Sequence, residues 1–147
     1  MLQNQIGRIF AGRPVYRGFS EKTHVADEDF GPDPNEPIHI GVDFGLTPAA
    51  SFGQDIRGQV KVFDELVTRD TNAKQFADLL GNHIREHYPN HRVVITGDPR
   101  GEDRATTDST TPYQIFKAAG LDVLPAWSND PIIRVGAVET QLNTMVE

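Results

Sequence analysis

The sequence contains no cysteine, which excludes disulfides and thiolate metal sites and fits a reducing compartment. No apolar run approaches the roughly 18 residues that a membrane-spanning helix needs. The opening stretch, MLQNQIGRIF, lacks the basic-then-apolar layout of a signal peptide. No glycine is followed by lysine anywhere, so a Walker A phosphate loop cannot be drawn. Positive charge is scarce: 14 Lys and Arg stand against 21 Asp and Glu, a net charge of −7 at pH 7. That balance argues against holding nucleic acid by bulk electrostatics, so any DNA substrate would have to be delivered by something else. What remains is a chain of 147 residues, enough for one domain with a real core.

Residues 1–37 read as an N-terminal strand in RPVYRGF followed by an acidic, proline-containing connector, SEKTHVADEDFGPDPNEP. From residue 38 the periodicity sharpens. IHIGVDFG alternates, with Ile38, Ile40, Val42 and Phe44 on one face and His39, Gly41 and Asp43 on the other. AASFGQD and QVKVFDELV follow across IRG, a tight-turn signal, which predicts three antiparallel strands in sequence. TNAKQFADLLGNHIREHY carries Phe76, Leu79, Leu80, Ile84 and Tyr88 at helical spacing, with Thr71 or Asn72 as cap and Pro89 as stop. RVVITGD is a fourth strand ending in Asp98. TPYQIFKAAG is a helix with a capping box formed by Thr111 and Gln114, and Gly120 stops it. LDVLPA is a fifth strand. NDPIIRVGAVETQLNTMVE is a last helix with Ile132, Val135, Val138, Leu142 and Met145 as its apolar stripe.

The order β-β-β-α-β-α-β-α is that of the ribonuclease-H-like fold. It predicts a mixed five-stranded sheet over residues 38–147: an antiparallel meander, two further strands parallel to the first, and helices on both faces. In that topology the first and fourth strands are parallel neighbours, which places Asp43 and Asp98 together where open α/β sheets keep their sites.

Asp43 sits in a run that reads as buried strand, and no Lys or Arg lies within ten residues on either side. A buried charge needs a partner. Two carboxylates brought together repel, and a divalent cation removes that cost. Hard oxygen donors suit Mg²⁺ or Mn²⁺. Two such ions about 3.5–4 Å apart activate a water and stabilise the leaving oxygen of a phosphodiester. The bland alternative is that Asp43 bonds backbone amides at a strand end and that Asp98 starts the turn in GDPRG.

GVDFGLTPAASFGQ, FDELV, ITGDPRGEDRATTD, LPAWSNDPIIRVGAVETQLN and the upstream GRPVYRGFSEKTHVA, taken in order, resemble the nuclease domain of a tailed-phage (or prophage) terminase large subunit. The resemblance runs from about residue 12 to the end of the sequence. It implies a metal-dependent endonuclease that cuts concatemeric double-stranded DNA during packaging, with two divalent cations, Mg²⁺ or Mn²⁺, held by Asp43 and Asp98. It also implies that a third acid follows beyond Glu147, so the chain reads as a nuclease domain truncated at its C-terminus and without its motor. The implied partners are the terminase ATPase domain, the small terminase subunit and the portal protein. The implied place of action is the cytoplasm of the bacterial host.

Glu65, on the face opposite Asp64, is a candidate further metal ligand, or a solvated strand-end acid. Arg100, Arg104, Thr106, Thr107 and Arg134 are candidate DNA contacts, although Glu102, Asp103 and Asp108 share the loop with the first four. HIREH, residues 83–87, matches a zinc-protease pattern that five residues can produce by chance. Asn129-Asp130-Pro131 reads as a helix cap. Trp127 reads as core or rim packing, with base stacking as an alternative. Two other functions are compatible with parts of the pattern. IGVDFGLTPAAS resembles the first phosphate loop of actin- and sugar-kinase-like ATP-binding domains, although GDP inverts their second motif. A non-catalytic domain that docks on the portal or small subunit is the other.

Overall fold

The computed structural model describes residues 12–102 and 110–144. Ile38–Asp43 (β1), Ala49–Ile56 (β2) and Gln59–Val67 (β3) form the meander; Val93–Gly97 (β4) and Val123–Pro125 (β5) complete one sheet of order β3-β2-β1-β4-β5. β1 pairs antiparallel with β2 and parallel with β4, and β5 is parallel to β4. This is the ribonuclease-H-like arrangement.

The alternation in β1 decides which face is covered. Ile38, Ile40 and Val42 are buried, while His39, Gly41 and Asp43 are exposed. Burying each of these aliphatic side chains contributes about 1.5–3 kcal/mol. Two helices cover that face. Ala73–His87 (α1) is opened by a capping box between Asn72 and Gln75 and buries Phe76, Ala77, Leu80 and Gly81. Pro112–Ala118 (α2) has the predicted Thr111–Gln114 box and buries Phe116. Phe52, Phe76 and Phe116 are fully buried between sheet and helices.

The β2–β3 hairpin turns through Arg57 and Gly58, both at positive φ (57° and 84°). That conformation matches the twist of the flanking strands and favours glycine at its second position. Asp55 closes the turn by accepting from the Gly58 amide at 2.8 Å. Further along, the register slips between Phe52 and Gly53, because β3 carries one extra residue, Phe63. The bulge has a consequence for function. Without it Asp64 would share the face of Val62; with it Asp64 points under α1 and Glu65 shares the open face with Ser51 and Gly41.

Three expectations need correction. RPVYRGF forms no strand: residues 13–19 have no sheet partner, and Val15, Tyr16 and Phe19 are exposed. The connector is not wholly irregular, since Glu21–His24 makes one helical turn. That turn is tied down by the His24 ring, with Nε2 2.9 Å from the Leu142 carbonyl. The buried amide of Gln54 binds Asp33 and Glu36 backbone groups at 2.8–3.0 Å and fixes the rest of the connector. Finally, Pro131–Thr144 (α3) forms as predicted, but its stripe is not a core stripe. None of its residues is buried, and Ile132 is 83% exposed. The helix lies along edge strand β3, on the side away from α1 and α2, and Met145 falls outside the described residues.

Candidate metal and phosphodiester site

The register of the parallel pair ends at Val42 opposite Gly97. Asp43 and Asp98 each follow by one residue, on strands about 4.8 Å apart. The residues beside them clamp the two strand ends together. Phe44 packs its ring edge-on against Phe116, with centroids 5.1 Å apart, and also against Tyr113. The same ring lies over Gly97, where a Cβ would come within 2.7 Å of Phe44 Cε2. Tyr113 donates its hydroxyl to the Asp98 carbonyl at 2.9 Å. The small residue before Asp98 and the aromatic after Asp43 therefore belong to one joint.

Each carboxylate spends one oxygen on its own loop. Asp43 Oδ1 accepts from the Gly45 amide at 3.0 Å, and Asp98 Oδ1 from the Arg100 amide at 2.8 Å. The turn-forming roles read as the bland alternative are thus present, and they leave the second oxygen of each acid without a hydrogen bond among the described residues. Asp43 is exposed rather than buried. Its face of β1 is the uncovered one, so the expected need for a burial partner does not arise.

One groove of about 560 Å³ collects Asp43, Asp98, Glu65 and Arg134, with Ser51, Thr96, Ser128 and Asn129 on its walls. Glu65 arrives through the bulge. Arg134 arrives because Asp130 caps α3, its carboxylate accepting from the Ile132 amide at 2.8 Å. The Arg134 guanidinium is steadied by Asn129 Oδ1 at 3.2 Å. Arg100 contributes its backbone amide, and its side chain is exposed outside the groove walls. Arg104, Thr106 and Thr107 lie outside the described residues. Sequence reading missed Asn129 as a groove residue, because the Asn-Asp-Pro signal was fully accounted for by the cap. It also missed the Phe44–Gly97 joint, which pairs residues distant in sequence.

The opposite face holds a separate polar cluster. Asp64 Oδ2 lies 2.6 Å from His83 Nε2 and accepts from the Tyr88 hydroxyl at 2.7 Å. Partial burial works to raise the Asp64 carboxyl, but the hydrogen bonds from Tyr88, His83 and the Glu65 amide outweigh it and hold it below its ordinary value. Burial, then the bond to Asp64, push the Tyr88 phenol up. His83, the first histidine of HIREH, is therefore engaged by Asp64 and braces α1 against β3.

Asp43, exposed, and Asp98, half-buried, each keep one carboxylate oxygen without a hydrogen bond among the described residues, and hard oxygens of this kind are the donor type that divalent cations favour. They do not form a closed protein cage: among the described residues no three His, Asp or Glu side chains are grouped to hold an ion. No described helix is long and apolar enough to cross a membrane.

No family model matches the chain, and no curated protein matches it. Solved structures do. The fold is similar to that of the large terminase from a thermophilic bacteriophage, solved in complex with ADP, with a TM-score of 0.71 and 17% identity over 89% of this chain. This chain spans about a third (32%) of that protein's length. It is also similar to the large terminase nuclease of the thermophilic phage G20c, with a TM-score of 0.54, 17% identity, and coverage of 89% of this chain and 69% of the other. The same nuclease with bound cobalt gives a TM-score of 0.52 and 16% identity over 89% of this chain and 70% of that one. At such identities the likeness establishes the fold.

Proposed function

We propose that residues 38–147 are a metal-dependent endonuclease domain of a viral DNA-packaging terminase large subunit, acting on double-stranded DNA. The observation that carries this reading is the groove in which Asp43 and Asp98, at adjoining ends of parallel β1 and β4, meet Glu65 and Arg134. The likeness in fold to phage terminase nucleases, one of them solved with bound cobalt, supports it.

Asp43 and Asp98 would hold the divalent cations, Mg²⁺ or Mn²⁺ and two in number, with Glu65 as a further oxygen donor. When bound, such ions supply Lewis-acid activation of a water and stabilisation of charge on a phosphate. The protein's own groups do the remaining work. The Phe44–Gly97 joint fixes the spacing of the acids, and the Gly45 and Arg100 amides fix one oxygen of each so that the other is left for a ligand. Arg134, oriented by Asn129, offers a cationic donor to a phosphate at the groove wall. With a net charge of −7 the domain has little general attraction for DNA. In this reading the terminase ATPase domain brings the DNA, the small subunit and portal are assembly partners, and the host cytoplasm is the setting.

Nicking of a supercoiled plasmid in Mg²⁺ or Mn²⁺, compared with the Asp43→Asn and Asp98→Asn variants, tests the proposal. Metal-dependent nicking lost in both variants supports it. A second reading, a non-catalytic docking domain, is favoured by the lack of a three-ligand group among the described residues. It predicts no nicking by any of the three proteins.

A further inference from the structure

No described residue of α3 is buried, so side-chain packing defines the tilt of this helix and its rotation about its own axis only weakly. Its two ends are held by other means. Just before its start, Ala126 donates its amide to the Gly97 carbonyl at 2.8 Å, and Asp130 caps the first turn. At its far end the helix meets the segment that precedes β1. The last four carbonyls of a helix have no partner within it, and Leu142 carries one of them. His24 Nε2 lies 2.9 Å from that carbonyl oxygen, and since a carbonyl only accepts, the ring donates. Nδ1 of the same ring meets the Ser20 amide at 2.9 Å, and Phe19 stacks on the ring with centroids 5.7 Å apart. Gly18 lies against the same turn of α3: a Cβ there would come within 3.1 Å of Asn143 Oδ1. The other end of the segment is tied to β2 by the buried Gln54 amide. Between these ties a groove of about 1360 Å³ opens among the segment, Val60 and Val62 of β3, and Val138 of α3.

Arg134 stands on the first turn of α3 and lines the acid groove. Leu142 lies about 12 Å further along the axis, at 1.5 Å per residue. A helix free to rotate swings its arginine sideways, and a misplacement of about 1 Å is enough to spoil a positioned contact. We infer that His24 is a positioning residue for the groove: by holding the Leu142 carbonyl it fixes α3, and through α3 the guanidinium that Arg134 presents to a phosphate. The segment before β1 is thereby part of the frame of the site. The inference rests on the nuclease reading and adds to it a residue remote in sequence from every groove acid. A purely stabilising role for His24 is disfavoured by its place, because neither His24 nor Leu142 belongs to the hydrophobic core.

Two measurements on the full chain test this. Hydrogen exchange reads the brace without any substrate: His24→Ala is expected to speed exchange of the α3 amides about tenfold, while α1 and the sheet keep their protection. Plasmid nicking in Mg²⁺ reads the consequence. His24→Ala is expected to raise the KM about tenfold, as loss of a hydrogen bond to a charged group does, with kcat little changed. His24→Gln, whose side-chain amide can donate to the same carbonyl, should restore most of both. In an Arg134→Ala background His24→Ala should add less than about twofold, because the two act through one contact. An unchanged KM in His24→Ala, an equal further loss in the Arg134→Ala background, no rescue by His24→Gln, or unchanged exchange in α3 overturns the inference and leaves the nuclease reading standing. So does exchange that rises throughout the sheet of His24→Ala, since His24 then supports the whole fold and not one helix. If the wild type does not nick DNA, the nuclease reading falls and this role of His24 with it, whatever the exchange shows.

Discussion

The ring of Phe44 rests on Gly97 so closely that a methyl group at position 97 would come within 2.7 Å of it. Phe44 follows one acid of the groove and Gly97 precedes the other, so this contact sets the spacing of the site. Gly97→Ala is therefore expected to destabilise the fold by about 1–3 kcal/mol through overpacking. It should also lower nicking beyond what lost stability explains, because the strand ends are forced apart. Urea denaturation and nicking rates measured well below the unfolding transition check both parts.

Asp43→Asn and Asp98→Asn keep an oxygen that can accept from the Gly45 and Arg100 amides, so the loops should survive. Stability is expected to stay within about 1 kcal/mol of the wild type, while nicking falls by at least about 100-fold. Glu65→Gln should reduce nicking less than either. A Glu65→Gln loss equal to that of Asp43→Asn would make the three acids equivalent ligands.

Asp64, next to Glu65 in sequence but on the opposite face, should behave in the reverse way. Asp64→Asn removes the charged acceptor shared by His83 and Tyr88, and about 2 kcal/mol of stability is expected to be lost. Nicking per folded molecule should be unchanged. The pH dependence follows from the same group. Its folded pKa is held below 3.8, so its contribution is present above that value and is lost as pH falls through the lower folded value. Acid unfolding of the wild type should therefore be shallower in Asp64→Asn. Denaturation midpoints between about pH 2 and pH 6, where carboxyl groups titrate, read this out.

The strands and helix caps were legible because strand alternation, turn residues and capping boxes are local signals, whereas the pairing of β1 with β4 that sets Asp43 beside Asp98 followed from matching the element order to the ribonuclease-H-like topology. What was not legible depends on distant partners. Period-two alternation separated Ile38, Ile40 and Val42 from Asp43 but could not say that the Asp43 face stays open. Glu65 was correctly set opposite Asp64, yet only the Phe63 bulge determines which of the two faces the groove. The apolar stripe of α3 predicted a helix and not its burial, since Ile132 has no layer to pack against. RPVYRGF has strand-forming residues but no sheet partner. Arg134 and Asn129 meet because of a cap, which the sequence shows as a cap alone.

Thr111 is buried and caps the helix that carries Tyr113, the donor to the Asp98 carbonyl. Thr111→Ala should cost about 1 kcal/mol of stability through loss of the capping box. Thr111→Ser should recover most of it, as thermal denaturation of the three proteins would report.

The most direct test of the central claim is a Mg²⁺ titration followed by amide NMR shifts on the wild type and on Asp43→Asn. The account predicts localised, saturable shifts at Asp43, Gly45, Asp98 and Arg100 in the wild type and none of them in the variant. An absence of shifts at millimolar Mg²⁺, or the same shifts in Asp43→Asn, would contradict a metal site between these two strand ends.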